Sequence, residues 1–404
     1  MDAAHELDLH AAFAALRANL RPITERIVVS TRAAGGRILA ADLICQADLP
    51  AFDQAAMDGY AVRSADCAPP ARLRVIGQAL AGHPAAVRVE AGTAVRIMTG
   101  APLPAGADAV VMLEDTLADG DSVLVRTAVA SGMNIRRRGE QCRAGDVAIV
   151  AGTTLAAAHL GLATALGASS LAVLRPLRVG IASTGDELCD PPAALSEGAS
   201  FDANRPWLAR ACEAAGFAVT DLGICRDDEV AFARLLHRVR QEGLNALVVS
   251  GGSALGDADV VRQAQSVRFF PLNIRPGRGI LFGDFGPFVL LGLPGNAVAA
   301  FVMFHLLVLP ALRVLAGASD AAPPPHLPLP LAVDVQGKPG RIDYRRARYV
   351  LTDAGAVAVA PLAQQGAAML STVTAADALI AVGPRAHYRA GETIPAVPLA
   401  GLPG

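Results

Sequence analysis

The sequence has no Cys-x-x-Cys pair, no strong excess of charge of either sign and no apolar run long enough to cross a bilayer. Its six cysteines are scattered, so we expect free thiols, mostly in the core, and no thiolate zinc or redox site. The net charge of -2 argues against nucleic acid held by bulk electrostatics. The longest apolar run, 297–309, is shorter than the ~20 residues that a membrane span needs. It contains His305, precedes Pro310 and predicts a buried helix, so no membrane partner is expected.

A signal peptide is also missing, because "MDAAHELDLHAAF" carries acids where such a peptide has a positive end and an apolar core. We therefore expect the cytoplasm. What is present is apolar: hydrophobic residues make up 53% of the 404 and charged residues 18%, which is enough for several cores. At about 150 residues per domain, the length predicts two to four folded units.

The first part of the chain predicts a β domain inserted into a helical one. Residues 6–17 have helical spacing, and 151–167 return to helix with Thr153 or Thr154 as N-cap and Gly167 as the stop. Between them, residues 45–139 consist of short apolar runs separated by glycine and proline, which is typical of a mostly β domain. We therefore assign 1–44 and 140–176 to a helical linking domain and 45–139 to the inserted one.

Residues 177–318 alternate strands and helices, which predicts a doubly wound α/β domain. Strands are expected at 177–183, 217–224, 245–252 and 287–295, with helices at 204–215, at 228–242 and from Asn296 onward. The proline cluster 321–330 reads as a linker, because prolines of this density cannot continue a helix or a central strand. Residues 319–404 then form a small β barrel or sandwich. The predicted fold class is multidomain α/β.

Acids and glycines follow three predicted strands of the α/β domain. The loops are Ser183-Thr184-Gly185-Asp186-Glu187, Arg226-Asp227-Asp228-Glu229 and the stretch 250–259. Ligands of a doubly wound sheet bind beyond the carboxyl ends of its strands. Glycines let backbone N–H groups approach a phosphate, and carboxylates suit Mg²⁺. The pattern suggests a phosphate ester handled with magnesium, although each loop alone could be a helix cap or a turn.

Two stretches of the inserted domain have alternative readings. Asp58-Gly59 in "QAAMDGYAV" is either a type I′ hairpin turn or a functional carboxylate placed in an apolar run. The stretch "NIRRRGE" is either a solvated basic edge or an anion-binding corner. Spacing decides neither case.

Seven segments in order along nearly the whole chain resemble the molybdopterin molybdenumtransferase family, which includes the E domain of gephyrin. They are "AMDGYAVR", "RIMTGAPLPAGADAVVMLED", "NIRRRGE", "STGDEL", "SGG…GDAD", "RPGR" and "GLPGN". The resemblance implies an enzyme that takes adenylylated molybdopterin, cleaves the adenylate with Mg²⁺ and inserts molybdate, giving molybdenum cofactor and AMP. It makes 177–318 a molybdopterin-binding domain. It also implies an elongated homodimer whose cleft lies between the α/β domain of one subunit and the inserted domain of the other.

The resemblance assigns roles to positions of this sequence. Catalytic residues would be Asp58, Thr99, Glu187, Asp227 and Asp259, with Glu187, Asp227 and Asp259 holding the metal ion. Residues binding the pterin substrate would be Thr184, Gly185, Asp186, Ser250, Gly251, Gly252, Gly256, Arg275, Arg278, Pro294, Arg136 and Arg137. Candidate protein partners are the molybdopterin adenylyltransferase and the apoproteins of molybdoenzymes.

The sequence also departs from the family pattern around the expected ligand rim. Gln141 replaces an aspartate, Ala254 a serine and Ala297 a proline, Pro271 stands where some members have a basic residue, and "QGAAMLS" replaces "GSGMLS". A paralogue that binds molybdopterin or finished cofactor as a carrier, with little insertion, is therefore the alternative. A dinucleotide enzyme is disfavoured, since no GxGxxG follows the first strand and no Walker lysine follows the glycine loop.

Overall fold

The computed structural model describes residues 6–251, 261, 264 and 266–399. The described chain begins with helix α1 (Leu9–Arg17), which buries Leu9, Phe13 and Leu16. Asp8 caps this helix, because its carboxylate accepts the Ala11 amide at 2.7 Å. The predicted helix 6–17 thus forms with a later start. Strands β1 (Arg26–Ser30) and β2 (Leu43–Ile44) follow.

The inserted region is mostly β, as predicted. Its strands are β3 (Gln54–Ala55), β4 (Gly59–Val62), β5 (Ala71–Ala79), β6 (Thr93–Ile97), β7 (Ala109–Met112), β8 (Thr116–Asp119), β9 (Ser122–Val125) and β10 (Ile135–Arg136). Six of them form a sheet in the order β7-β4-β6-β5-β9-β8. Side chains alternate between its two faces, so Tyr60 and Val62 pack in one apolar cluster and Ala61 in the other.

The chain then returns beside the strands that it left. Strand β11 (Val147–Ile149) pairs with β2, and β12 (Ser170–Leu174), which follows helix α2 (Ala157–Ala165), pairs with β1. The predicted N-cap at Thr153 or Thr154 is wrong. Thr154 forms a β-bridge with Ile38, and this long-range pairing delays the helix to Ala157. Gly167 stands two residues beyond the helix with φ +80°, in agreement with its predicted role as the stop.

The prediction of six free cysteines is wrong for Cys45 and Cys142, which form a disulfide. They are 97 residues apart in the sequence, so spacing gave no signal. They meet because the two ends of the inserted domain run antiparallel. The Cys45 amide donates to the Asp146 carbonyl at 2.9 Å, and Leu49 forms an antiparallel β-bridge with Cys142. Of the four free cysteines, Cys67, Cys212 and Cys225 are buried, as expected.

The α/β domain is built on a mixed sheet of six strands in the order β16-β13-β17-β21-β20-β18. Four strands are parallel. Beyond β21 the sheet continues with two antiparallel strands, β20 and the edge strand β18, which were not predicted. The elements in chain order are β13 (Arg178–Thr184), β14 (Leu188–Cys189), β15 (Ser200–Phe201), α3 (Asn204–Ala214), β16 (Ala218–Cys225), α4 (Glu229–Gln241), β17 (Ala246–Ser250), β18 (Val267–Pro271), β19 (Ile274–Arg275), β20 (Gly279–Asp284) and β21 (Val289–Leu293). The predicted strands and helices all form here.

The apolar helix predicted from 297 onward is α5, Ala297–Leu315. It continues past Pro310, which lacks the N–H that a regular helical turn needs, and a π-helical turn at Phe304–Val308 precedes that proline. By length and composition α5 could cross a membrane, but 78% of its most apolar window is buried inside the protein. It is therefore packed as a core helix.

The C-terminal part is a β domain, as predicted. It contains β22 (Leu327–Pro330), β23 (Val335–Gln336), β24 (Ile342–Leu351), β25 (Val357–Pro361), α6 (Ser371–Thr374), β26 (Ala378–Val382), β27 (His387–Tyr388) and β28 (Thr393–Pro398). The main sheet has the order β19-β24-β26-β28-β22, so β19 ties it to the α/β domain. The prediction that 321–330 is a linker is wrong for its last four residues, which form strand β22. This strand lies at the edge of the sheet, where prolines are tolerated.

Candidate functional site

The carboxyl ends of the four parallel strands meet at one edge of the α/β sheet. Thr184 at the end of β13 pairs with Cys225 of β16, and Ser250 of β17 pairs with Leu293 of β21. The loops that begin at these residues carry most of the predicted site. The structure therefore brings 184–187, 226–227, 250–251 and 294–296 to a common rim.

The rim carries carboxylates that repel one another. Asp186 and Glu187 follow β13, and Asp227 follows β16, with its amide donating to Asp186 Oδ1 at 3.4 Å. Partial burial raises the pKa of the Asp227 carboxyl, and the charges of Asp186 and Glu187 raise it further. A Cβ on Gly185 would lie 2.6 Å from Glu187 Oε2, so only glycine lets the Glu187 carboxylate lie this close.

Within the described ranges, no group of three or more His, Cys, Asp and Glu side chains is arranged to hold a metal ion. The third predicted ligand, Asp259, lies outside the described residues, as do Gly252 and Gly256. Glu187 and Asp227 alone remain as described candidates. Two carboxylates can suffice for Mg²⁺, which fills its other positions with water and substrate phosphate.

The glycine loop after β17 is positioned by close backbone contacts. Gly251 has φ +104°, and a Cβ there would lie 2.4 Å from the Thr184 carbonyl oxygen. Its amide donates to the Leu293 carbonyl at 3.1 Å, so this N–H is not free to bind a phosphate. Gly251 instead lets the loop pass close to the backbone of Thr184. Thr184 is buried, and its hydroxyl has no hydrogen-bond partner in the described structure. Ser250 is buried as well, so its hydroxyl faces the interior of the protein.

A cavity of about 380 Å³ adjoins this loop. Arg278 and Pro294, both predicted site residues, line it together with Gly295, and the C-terminal domain contributes Ala367. Arg275 lies in β19, and its guanidinium donates to the Pro339 carbonyl at 3.5 Å. The cavity is thus formed between the α/β and C-terminal domains.

A buried arginine near this cavity was missed by the sequence reasoning. Arg346 in β24 is 1% exposed. Its guanidinium donates to the Thr372 hydroxyl and to the Gly366 carbonyl, both at 3.0 Å, and burial lowers its pKa. Neither bond joins it to a carboxylate, although the charge of Asp343 offsets part of the effect of burial. A buried positive charge therefore lies beside the loop that carries Ala367. The burial of Arg346 is visible only in the tertiary structure, because the sequence "YRRARY" looks like an ordinary charged, exposed strand.

In the inserted domain, Asp58 is held by Thr99. The Thr99 amide donates to Asp58 Oδ1 at 2.8 Å and its hydroxyl donates to the same oxygen at 2.7 Å. These two bonds lower the pKa of the Asp58 carboxyl, so it stays ionised. The side chain is also exposed. The hairpin reading is wrong for Gly59, which lies within β4. A Cβ on Gly59 would lie 1.8 Å from the Val111 carbonyl oxygen, and this close approach requires glycine.

The basic corner is largely occupied by ion pairs within the inserted domain. Arg137 Nη1 lies 2.7 Å from Asp53 Oδ2, and Arg138 Nε lies 2.6 Å from Asp48 Oδ2. Arg136 is exposed on β10. Of the two arginines predicted to bind the substrate, Arg137 forms an ion pair with Asp53, whereas Arg136 takes part in neither of these two ion pairs.

The predicted catalytic residues that the structure describes fall on two different domains. Among the described residues, no hydrogen bond or ion pair joins Asp58 or Thr99 to Glu187 or Asp227. Asp58 and Thr99 lie on the inserted domain, and Glu187 and Asp227 lie on the α/β rim.

Three family models together match most of the described chain. Residues 7–167 match the MoeA N-terminal region (domain I and II), 180–314 a probable molybdopterin binding domain, and 328–399 the MoeA C-terminal region (domain IV). A molybdopterin molybdenumtransferase of Haemophilus influenzae is 33% identical over 387 residues, covering 94% of this chain and 96% of that protein. Molybdopterin molybdenumtransferase 2 of Mycobacterium tuberculosis is 36% identical over 342 residues, 81% of this chain and 83% of that protein.

Among solved structures, the molybdopterin biosynthesis moeA protein of Pyrococcus horikoshii superposes with a TM-score of 0.82 at 28% identity. The match covers 97% of this chain and 100% of that one.

Proposed function

Because the chain belongs to the molybdopterin molybdenumtransferase family, we propose that it inserts molybdenum into adenylylated molybdopterin and releases AMP. The observation that carries this proposal is the rim of the α/β sheet, where Asp186, Glu187 and Asp227 stand beside the glycine loop and the cavity lined by Arg278 and Pro294. Molybdopterin and molybdate are the substrates. The activity makes the chain an enzyme of molybdenum cofactor biosynthesis.

We assign Mg²⁺ to the carboxylates of Glu187 and Asp227, with Asp259 as the third ligand. Burial, together with the charges of Asp186 and Glu187, raises the pKa of Asp227, and this supports the assignment because a nearby cation favours the ionised carboxylate. The ion would supply charge neutralisation at the phosphoanhydride. Arg278 binds substrate phosphate at the cavity, and Thr184 offers as a donor a hydroxyl that has no hydrogen-bond partner among the described residues. The buried charge of Arg346 makes the cavity favourable for an anion such as molybdate.

The complete site requires two subunits in this proposal. Support comes from the placement of Asp58 and Thr99 on a different domain from the rim, and from apolar side chains left exposed on β1. That strand pairs only with β12 in the described structure, and Val28 on it is 73% exposed. A homodimer would cover this strand and present Asp58 to the rim of the partner.

The decisive assay is AMP release from adenylylated molybdopterin. We expect release to require both Mg²⁺ and molybdate, and Asp259→Asn to abolish it without unfolding the protein, because the metal ion then lacks a charged ligand. If the unaltered protein binds molybdopterin tightly but shows no molybdate-dependent AMP release, the alternative function as a carrier of molybdopterin or finished cofactor is supported instead.

The shared cleft is tested with a mixed dimer. Asp58→Ala and Asp227→Ala are each expected to be inactive. If the cleft is shared, a purified heterodimer of the two carries both lesions in one cleft and none in the other, so about half of the normal activity per dimer returns. If Asp58 served the cleft of its own subunit, every cleft would carry a lesion, and the heterodimer would be as inactive as its parents.

We retain the cytoplasm as the proposed location and the adenylyltransferase and molybdoenzyme apoproteins as proposed partners. The Cys45–Cys142 disulfide is unusual for that compartment. Trapping free thiols in intact cells before extraction would measure whether this pair is oxidised there.

A further inference from the structure

Asn204, the first residue of helix α3, is a buried side chain that joins two loops of the rim. Its Nδ2 donates to Ser250 Oγ at 2.7 Å and to the Gly295 carbonyl at 2.8 Å. Ser250 Oγ lies 3.4 Å from the Pro294 carbonyl, to which it donates. The end of β17 and the turn after β21 are thereby tied to the start of one helix.

The partners of Asn204 determine which way its amide points. The Gly295 carbonyl can only accept a hydrogen bond, so the atom facing it is the NH₂ group. Trp207 Nε1 can only donate, and it lies 3.3 Å from Asn204 Oδ1. Both ends of the amide are therefore used. A residue of the same size without both a donor and an acceptor cannot replace it.

The start of α3 is itself fixed to the end of β13. Asp202, which is 4% exposed, accepts the Ser183 hydroxyl at 3.0 Å and the Asn204 amide at 3.1 Å. The Asp202 carboxylate also pairs with Arg205 at 2.9 Å. Three strand ends, those of β13, β17 and β21, thus converge on residues 202–205.

The loops held in this way are the ones that line the site. A Cβ on Gly295 would lie 3.5 Å from Gly251 Cα, so the two loops run about one methyl group apart. Gly295 lines the cavity, whereas Asn204 does not. Asn204 therefore acts on a ligand only through the backbone of its neighbours.

We infer that Asn204 is a positioning residue which holds residues 250–251 and the Pro294–Gly295 turn in their ligand-binding arrangement before molybdopterin binds. This inference rests on the proposed function of the rim. Without the side chain, the ligand must order the two loops itself, which weakens binding. Once the ligand is bound the loops are ordered again, so the rate at saturation changes less.

The test compares the unaltered protein with Asn204→Ala. Calorimetric titration with molybdopterin should give a Kd about tenfold higher for the variant, as the loss of two neutral hydrogen bonds predicts. We expect KM for adenylylated molybdopterin to rise in parallel, and kcat to stay within about threefold. The emission of Trp207, the only tryptophan of the chain, reports the lost contact directly.

Coupling and a matched control separate positioning from general damage. The effects of Asn204→Ala and Ser250→Ala on Kd should be less than multiplicative in the double variant, because both act on one contact. Cys212→Ala changes a buried residue of the same helix that bonds to neither loop, so it should leave Kd unchanged. If Asn204→Ala does not fold, Asn204→Asp preserves the volume but cannot donate to Gly295, and the same rise in Kd is expected.

The outcomes are distinct. Failure of the unaltered protein to bind molybdopterin overturns the proposed function, and the inference with it. Normal binding by the unaltered protein together with an unchanged Kd in the Asn204 variant overturns the inference alone. An equal loss of affinity in Cys212→Ala has the same consequence, because the effect would then be one of stability.

Discussion

Gly251→Ala tests whether close backbone packing at the end of β17 sets the geometry of the site. A Cβ at Gly251 would lie 2.4 Å from the Thr184 carbonyl oxygen and 2.6 Å from the Thr184 hydroxyl. Real Cβ atoms essentially never approach closer than 3.0 Å, so the loop must move by at least 3.0 − 2.4 = 0.6 Å. The contacted atom is backbone of β13 and cannot rotate away, so the displacement falls on residues 250–251 and on the neighbouring Gly295.

The magnitude follows from two separable terms. Alanine at a positive φ costs on the order of 1–2 kcal/mol of stability. Gly286 has φ +82° and nothing within 4 Å of a built Cβ, so Gly286→Ala carries this strain without a clash and is the matched control. The displacement itself acts on function. Since a misplacement of about 1 Å can cost ~100-fold in rate, we expect kcat/KM to fall by roughly tenfold or more in Gly251→Ala.

The assay is AMP release at several substrate concentrations, with thermal unfolding of both variants measured in parallel. Gly286→Ala should lose stability and keep its activity, whereas Gly251→Ala should lose both. A Gly251→Ala enzyme whose kcat/KM stays within about twofold of the Gly286→Ala enzyme would refute the reasoning, because the loop would then absorb the displacement without consequence.

Three further predictions concern charges. Thr99→Val removes the hydroxyl bond to Asp58 and should therefore raise the pKa of Asp58 toward its ordinary value, as measured by a carbon-13 carboxyl titration. Thr99→Ser keeps the hydroxyl and should leave this pKa unchanged. Equal pKa values in the two variants would contradict a role of the hydroxyl in holding Asp58 ionised. The pKa of Asp227 is raised, so this carboxyl stays protonated to a higher pH than an ordinary aspartate does, and it should set the acidic limb of the pH profile of kcat/KM. Saturating Mg²⁺ should move this limb to lower pH, and a limb insensitive to Mg²⁺ would argue against a metal at Asp227. Gln141 is exposed beside the disulfide, and Gln141→Asp should raise turnover if an acid contributes at that position; unchanged or lower turnover would mean that it does not.

Local pattern was sufficient for the elements of the α/β domain. Helix α4 begins at Glu229 because Asp228 caps it, accepting the Ala231 amide at 2.8 Å, and both features are visible in "RDDEV". The alternation of apolar strands and amphipathic helices similarly predicted the doubly wound sheet. Because parallel strands end at one edge, the sequence also predicted that 184–187, 226–227 and 250–251 would share a rim.

The sequence could not determine what depends on pairing between distant segments. The antiparallel direction of β18 and β20 depends on their pairing with each other and with β21, and the proline-rich β22 forms as an edge strand because it pairs with β28. Cys45 and Cys142 meet through the antiparallel base of the inserted domain.

At the site, composition determined which groups are available, and tertiary structure determined what each one does. Acids, glycines and arginines at the strand ends follow from residue order alone. That Ser250 is turned inward to Asn204, that Arg137 is engaged by Asp53, and that Arg346 is buried were decided by packing. The physical reason is that a side chain's charge and hydrogen-bonding capacity are local, whereas its burial and its partners depend on segments far away in the sequence.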